Sequence, residues 1–218
     1  MSIKLLIKKV FPGLVNFING IYLWMIPNIF ILNRTKWGKC GKDVQIGTPL
    51  TITNCKNVFI EEKCRINSGG RFIIHTGKLI IKNNTTLSYN VTIVTGNHTP
   101  TVGTPQFELD HLHINDKESD IIIHEDVWVG ANVTILSGAE LGRGCVIGAC
   151  SLVNKPIPPY AVVAGVPCKI IGVKFSLSQI IEHEQKLYTD YEKTNIDYLK
   201  SLFETIYKNC KVLGTNQI

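Results

Sequence analysis

Six histidines occur in this 218-residue chain, and His98 has the setting that most suggests chemistry. It closes the run Asn90 to His98, NVTIVTGNH, in which Val91 and Ile93 alternate like a strand before Gly96 breaks the pattern. Imidazole is the side chain whose ordinary pKa suits it to take a proton from a hydroxyl near neutrality. A base where the chain leaves a regular element is well placed to meet a substrate. The other histidines carry weaker signals. Asp110, His111 and His113 read DHLH, and on a strand this spacing would put both imidazoles on one face. A third ligand, such as His124, is only a guess, so solvated loop residues are the better reading and no metal is expected. His75 lines a pocket or caps a turn, and the residues leave both readings open. Seven cysteines (positions 40, 55, 64, 145, 150, 168 and 210) form no CxxC pair and leave an odd one over. That suits reduced thiols in a cytoplasmic protein better than a disulfide framework. No cysteine has the cationic neighbour and placed base that would mark it as an activated nucleophile.

The elements that must hold His98 follow from a repeat. Ile123, Val129, Ile135, Leu141, Ile147 and Val153 recur at a strict spacing of six, a period that no helix keeps. Two residues before each of the last five stands another small or apolar side chain: Val127, Val133, Ala139, Cys145 and Ser151. This is the alternation of a short strand facing a core. Gly130, Gly142 and Gly148 follow anchors directly, and Asn132, Gly138 and Gly144 sit three after, where turns with left-handed backbone angles are expected. Upstream the same grammar runs through Val44/Ile46, Leu50/Ile52, Val58/Ile60, Cys64/Ile66, Gly70/Phe72, Leu79/Ile81, Thr85/Leu87 and Val91/Ile93. Ile93 and Ile123 are a whole number of sixes apart, so residues 95–120 loop out without breaking the register. A loop this long inside a compact repeat predicts a lid or site wall.

Composition bounds the rest. The chain has 23 Lys and Arg against 17 Asp and Glu, a net charge of +6, and is 44% apolar. A packed structure is expected, with a leaning toward anionic ligands but without the clustered basic stripe of a nucleic-acid binder. Val10 to Asn33 carries no charge, but Pro12, Gly13, Asn16, Asn19, Gly20, Pro27 and Asn28 interrupt it. The favoured reading is an apolar helical segment packed on the protein. A pair of helices on the inner face of a membrane and a true span remain as alternatives. After Val173 the repeat stops. Ser176 and Gln179 form a capping box before helix-spaced Ile180, Leu187, Tyr191, Tyr198, Leu202 and Ile206, so a helical tail is expected. The organisation is an N-terminal segment (1–43), a repeat (44–173, with the 95–120 loop) and a tail (174–218).

The stretch VWVGANVTILSGAELGRGCVIGACSLVNKPIPPYAVVAGVPCKIIG, with TGNH upstream, resembles the hexapeptide-repeat acyltransferases over residues 44–173. Within them it is most similar to galactoside, maltose, nodulation-factor and capsule O-acetyltransferases. The resemblance implies an all-β solenoid, a left-handed parallel β-helix with an N-terminal helical segment and a C-terminal helix, working as a homotrimer with sites between neighbouring prisms. It implies acetyl-CoA as acyl donor and His98 as general base. Here Asn97 is inserted before the histidine, while Asn90 keeps its place eight residues upstream. Trp128 matches an aromatic walling the acceptor tunnel, with His75 and Asn90 as further acceptor-side candidates. The family's acceptor-side asparagine and aspartate fall near Ser68 and Thr76. Ala131 and Ala149 match small positions along the pantetheine arm, and Lys155 and Lys169 match basic positions near the nucleotide phosphates. Asn154 stands where threonine is usual, and Gly172 where some relatives have arginine. The expected activity is O-acetylation of a sugar in a surface polysaccharide or its precursor, in the cytoplasm or at the inner membrane face, with peripheral contact through residues 10–33. Acetylation of a xenobiotic or serine and a non-catalytic scaffold are the alternatives.

Overall fold

In a computed structural model, residues 33–112 and 116–215 are described, together with positions 13, 17, 18, 20, 21 and 25. Three parallel sheets share the repeat, and the chain visits them in rotation. The first stacks β1 (Lys39–Cys40), β4 (Val58–Ile60), β7 (Leu79–Ile81), β10 (Ile121–Ile123) and β13 (Glu140–Leu141). The second stacks β2 (Gln45–Ile46), β5 (Arg65–Ile66), β8 (Thr86–Leu87), β11 (Trp128–Val129), β14 (Val146–Ile147), β16 (Ala161–Gly165) and β17 (Cys168–Val173). The third stacks β3 (Leu50–Ile52), β6 (Gly70–Ile73), β9 (Thr92–Val94), β12 (Thr134–Leu136) and β15 (Leu152–Val153). Only the β16–β17 pair is antiparallel among them.

Coil length can be read from side chains that meet across coils. Gln45 and Arg65 are 20 residues apart, Glu62 and Asn83 are 21, and Glu125 and Arg143 are 18. Thr85 and Val127 meet across 42, because one coil carries the long loop. The repeat survives these unequal lengths because the inward side chains keep their places. Val127, Val129, Val133, Ile135, Ala139, Leu141, Cys145, Ile147, Ser151 and Val153 are all buried, as are their counterparts Leu79, Ile81, Leu87, Val91 and Ile93. Each large aliphatic side chain taken from water stabilises the coil by about 1.5–3 kcal/mol. All seven cysteines are free thiols, and burial pushes those of Cys64, Cys145 and Cys168 above the ordinary range, so these three pack as small hydrophobes.

The corner residues divide by cause. Asn132, Gly138 and Gly144 have the left-handed φ expected of them, at 58°, 76° and 68°. Gly130 does not: a Cβ there would stand 2.6 Å from the Ala149 amide nitrogen, so close approach of the next coil requires that glycine.

Two readings are corrected. The long loop contains a short helix, α1 (Gln106–Leu112), anchored by buried Leu109. His111 therefore lies on a helix, and His113 lies outside the described residues. The tail is not one helix but two, α2 (Leu177–Leu187) and α3 (Ile196–Thr205). The Ser176–Gln179 capping box starts α2 as expected. Thr189 then donates backbone and hydroxyl bonds to Glu192, and Asn195 caps α3, so the helical phase resets. Ile180, Leu199 and Leu202 are buried, whereas Leu187, Tyr191, Tyr198 and Ile206 face solvent.

The tail docks through a polar knot. Buried Glu184 accepts from the Tyr160 hydroxyl at 2.8 Å and from Thr194, with Arg143 3.5 Å away. Most of the residues expected to form the apolar N-terminal segment lie outside the described set. Phe17, Ile18, Ile21 and Met25 are exposed. No helix among the described residues is long and apolar enough to cross a membrane.

Candidate active site

Where the third sheet turns into the first, β6 leads to His75 and β9 leads to His98. The two segments are stacked: the His75 amide donates to Thr95 Oγ1 at 3.3 Å, and the Thr95 amide donates to the Ile73 carbonyl at 3.1 Å. The His75 carbonyl accepts from the side-chain amides of Asn54 and Asn57, which holds that turn from the coil before. Thr95 is buried, and the chain then leaves the solenoid through Gly96 and Asn97. The Asn97 carbonyl accepts from the Lys117 amide at 3.2 Å, a bond between the outgoing and returning ends of the loop.

The returning end brings acidic groups that sequence reasoning missed. Asp116 Oδ1 lies 3.1 Å from His98 Nδ1, with 40% of the histidine side chain exposed and 12% of the aspartate's. The network fits the tautomer in which Nδ1–H donates and Nε2 carries the lone pair. Glu118 Oε2 accepts from the amides of Thr76 at 2.6 Å and Gly77 at 2.8 Å, and Oε1 lies 3.8 Å from His75 Nδ1. Asp120 accepts from the Lys78 amide at 2.8 Å. Burial by itself would raise the Glu118 pKa, but the Gly77 and Thr76 amides and the His75 imidazole outweigh it and hold the carboxyl below the usual range. Thr76 itself has no acid where the resemblance leads one to look for a polar acceptor-side group, yet a carboxylate stands beside its amide. The available signal was the alternation of Asp116, Glu118 and Asp120 just before the Ile121 strand.

The remaining expected site residues lie on other parts of the prism. Asn90 is at the turn between the second and third sheets, with φ 58°, and donates to Asn132 Oδ1 at 3.2 Å. Ala131 and Ala149 stack at that same turn, where the Ala131 carbonyl accepts from the Cys150 amide. Trp128 opens β11 and points outward, 53% exposed, between Thr86 and Val146 of the neighbouring coils. Asn154 and Lys155 are exposed just after β15. Lys169, also exposed, pairs with Ala164 in the terminal hairpin. Burial raises the Cys168 thiol, and the Lys155 charge opposes that rise. One chain thus joins His75 and His98 to Asp116 and Glu118, and joins Asn90 to the alanine turn. It does not bring those two groups together. His124, the guessed metal ligand, is instead paired with Glu140 at 2.7 Å. Among the described residues no group of three or more His, Cys, Asp or Glu could hold a metal ion.

A histidine backed by a carboxylate beside an exposed surface can take a proton from a hydroxyl and return it to a leaving group. The chain is similar in sequence and fold to known proteins. Residues 120–155 match the family described as bacterial transferase hexapeptide (six repeats). The chain is 33% identical over 154 residues to galactoside O-acetyltransferase of Lactococcus lactis, covering 65% of this chain and 70% of that protein. It is 32% identical over 142 residues to the putative lipopolysaccharide biosynthesis O-acetyl transferase WbbJ of Escherichia coli, covering 57% of this chain and 69% of that one. A hexapeptide-repeat containing acetyltransferase of Vibrio cholerae, solved in complex with acetyl coenzyme A, shares the fold with a TM-score of 0.60 at 22% identity, over 68% of this chain and 81% of that one.

Proposed function

The chain belongs to the hexapeptide-repeat acetyltransferases, and on that premise we propose that it moves an acetyl group from acetyl-CoA directly to a sugar hydroxyl, with His98 as general base. The observation that carries this reading is the exposed His98 ring, backed through Nδ1 by Asp116 at 3.1 Å. Nε2 takes the acceptor hydroxyl's proton as the oxygen bonds to the thioester carbonyl carbon. Asp116 keeps the ring in the tautomer that can do so and stabilises the imidazolium that forms. The tetrahedral intermediate collapses by breaking its carbon–sulfur bond, and the imidazolium returns its proton to the thiolate of CoA. Backbone N–H groups of the turns are the natural donors to the transient oxyanion.

Coenzyme A lies along the turn of Ala131 and Ala149, where small side chains let the pantetheine arm approach, with Asn154, Lys155 and Lys169 toward the phosphates. Trp128 walls the path of the acceptor. The histidine corner and the alanine turn are separate on one chain, which supports a homotrimer of left-handed prisms whose sites form between neighbours. The acceptor is a sugar of a surface polysaccharide or its precursor, by analogy with relatives named for galactoside and lipopolysaccharide chemistry. Work at the inner membrane face, with peripheral contact through residues 10–33, fits the exposed Phe17, Ile18, Ile21 and Met25.

The test is acetyl-CoA-dependent release of free thiol by wild type and His98→Ala against hexoses, capsule fragments, serine and chloramphenicol. Turnover on a glycan that falls by about 10²-fold or more in the variant is expected. Equal turnover in both proteins overturns the base, and turnover only on serine or chloramphenicol overturns the acceptor class.

A further inference from the structure

The loop returns to the solenoid through an extended segment, residues 116–120, in which every second residue is acidic. Period two puts Asp116, Glu118 and Asp120 on one side of the segment, and that side meets the prism. Each carboxylate serves a different part of the corner: Asp116 the His98 ring, Glu118 the amides of Thr76 and Gly77, Asp120 the amide of Lys78. Ser119 adds a bond from its own amide to Ser137 Oγ at 3.0 Å, and its backbone passes so close to Gly77 that a Cβ there would stand 2.9 Å from the Ser119 carbonyl oxygen. Glu118 is the centre of this strap. Its side chain is 10% exposed, its Oε1 faces His75, and that same oxygen lies 3.8 Å from the position a Cβ would take on Gly96, two residues before the base.

We propose that this acidic strap sets the position of the base, with Glu118 as the positioning residue that holds Asp116 on His98. The proposal rests on the assignment of His98 above. The chain leaves the solenoid at Thr95 and rejoins it at Ile121, so nothing in the repeat itself dictates where Asp116 falls; the bonds made by residues 117–120 do, and the two that Glu118 accepts are at their centre. A slip of one residue would turn all three carboxylates to the other side at once. Two amides converging on a single carboxylate oxygen form charge-assisted bonds that a neutral amide side chain reproduces only weakly. Catalysis is sensitive to such placement, since an error of about 1 Å can cost 10²-fold in rate.

The experiment is a double-variant cycle on the whole 218-residue chain, following kcat and KM for acetyl-CoA and for the glycan of the panel above that turns over. Glu118→Gln is expected to lower kcat about 10-fold with the KM for acetyl-CoA unchanged, and Asp116→Asn to lower it by at least as much. The double variant should be no slower than Asp116→Asn alone, because Glu118 acts through Asp116. Losses that multiply in the double variant, or an unchanged kcat in Glu118→Gln, overturn the proposal. Should Glu118→Gln fail to fold, Asp120→Asn loosens the strap at the Lys78 amide alone and runs the same cycle, with a smaller loss and the same non-additivity expected. A His98→Ala variant as fast as wild type defeats the base assignment instead, whatever the cycle returns.

Discussion

Two turns of the same prism are built in opposite ways. Where the second sheet meets the third, Asn90, Asn132 and Cys150 adopt left-handed φ values of 58°, 58° and 61°, and backbone bonds such as Asn132 to Tyr89 and Cys150 to Ala131 pass from coil to coil. There the bonds are made by the repeat's own turns, from one coil to the next. Where the third sheet meets the first, the bonds are made by carboxylates on a loop, and Glu118 reaches Thr76 across 42 residues. The first turn is a regular rail suited to an extended ligand, and the second is an irregular socket suited to a reacting group. The contrast teaches that a solenoid gains chemistry where its repeat is interrupted, while the uninterrupted turn supplies shape.

Chains carrying His98→Ala should be inactive, and so should chains carrying Ala131→Trp, which fills the other turn. If the two turns of neighbouring copies make one site, co-expression of both chains restores thiol release in mixed assemblies, a change from background to readily measured turnover. Persistent inactivity of purified mixed assemblies would return the site to a single chain. Next in size is a purely structural effect. Gly144 has φ 68°, and a Cβ there would stand 2.5 Å from the Tyr160 ring, so Gly144→Ala should cost about 2–4 kcal/mol in urea unfolding while leaving turnover per folded molecule intact. Smaller again is Asn132→Ala, which keeps a left-handed φ without the asparagine's tolerance for it. A loss of about 1 kcal/mol is expected, with Asn132→Gly recovering most of it. A null result would mean that this turn owes little to its residue types.

The smallest effect is one of pH. The Glu118 carboxyl is held below the ordinary glutamate value of 4.5, so the stability it contributes is complete above that value and is lost as pH falls through the lowered folded-state pKa. Between wild type and Glu118→Gln, the difference in melting temperature should therefore be constant from neutrality to about pH 5 and shrink below it. A difference that stays flat to pH 3 would show that the strap does not depend on that charge.

Much of the scaffold was legible because it is periodic. Ile123 to Val153 at intervals of six named the inward row, the turn positions Asn132, Gly138 and Gly144 followed, and the register shared by Ile93 and Ile123 marked where the loop had to leave. The Ser176 and Gln179 box marked the start of α2. Less was legible where a partner lies off the period. Tyr160, with φ 62° and its hydroxyl on Glu184 of α2, has no signature because its partner lies in the tail, off the period of the repeat. The break between α2 and α3, made by Thr189, Glu192 and Asn195, falls between apolar positions whose spacing runs on from Leu187 to Tyr198. The tail therefore read as one helix instead of two.

The amino-acid sequence by itself determined the coil, its core and the exit of His98 from the repeat, since side chains that alternate in and out and stack every coil leave a local pattern. Tertiary structure alone decided which carboxylates return to that exit. Asp116, Glu118 and Asp120 find their partners through the closure of a loop, and closure depends on where the two ends of the loop are held in space rather than on any spacing along the chain.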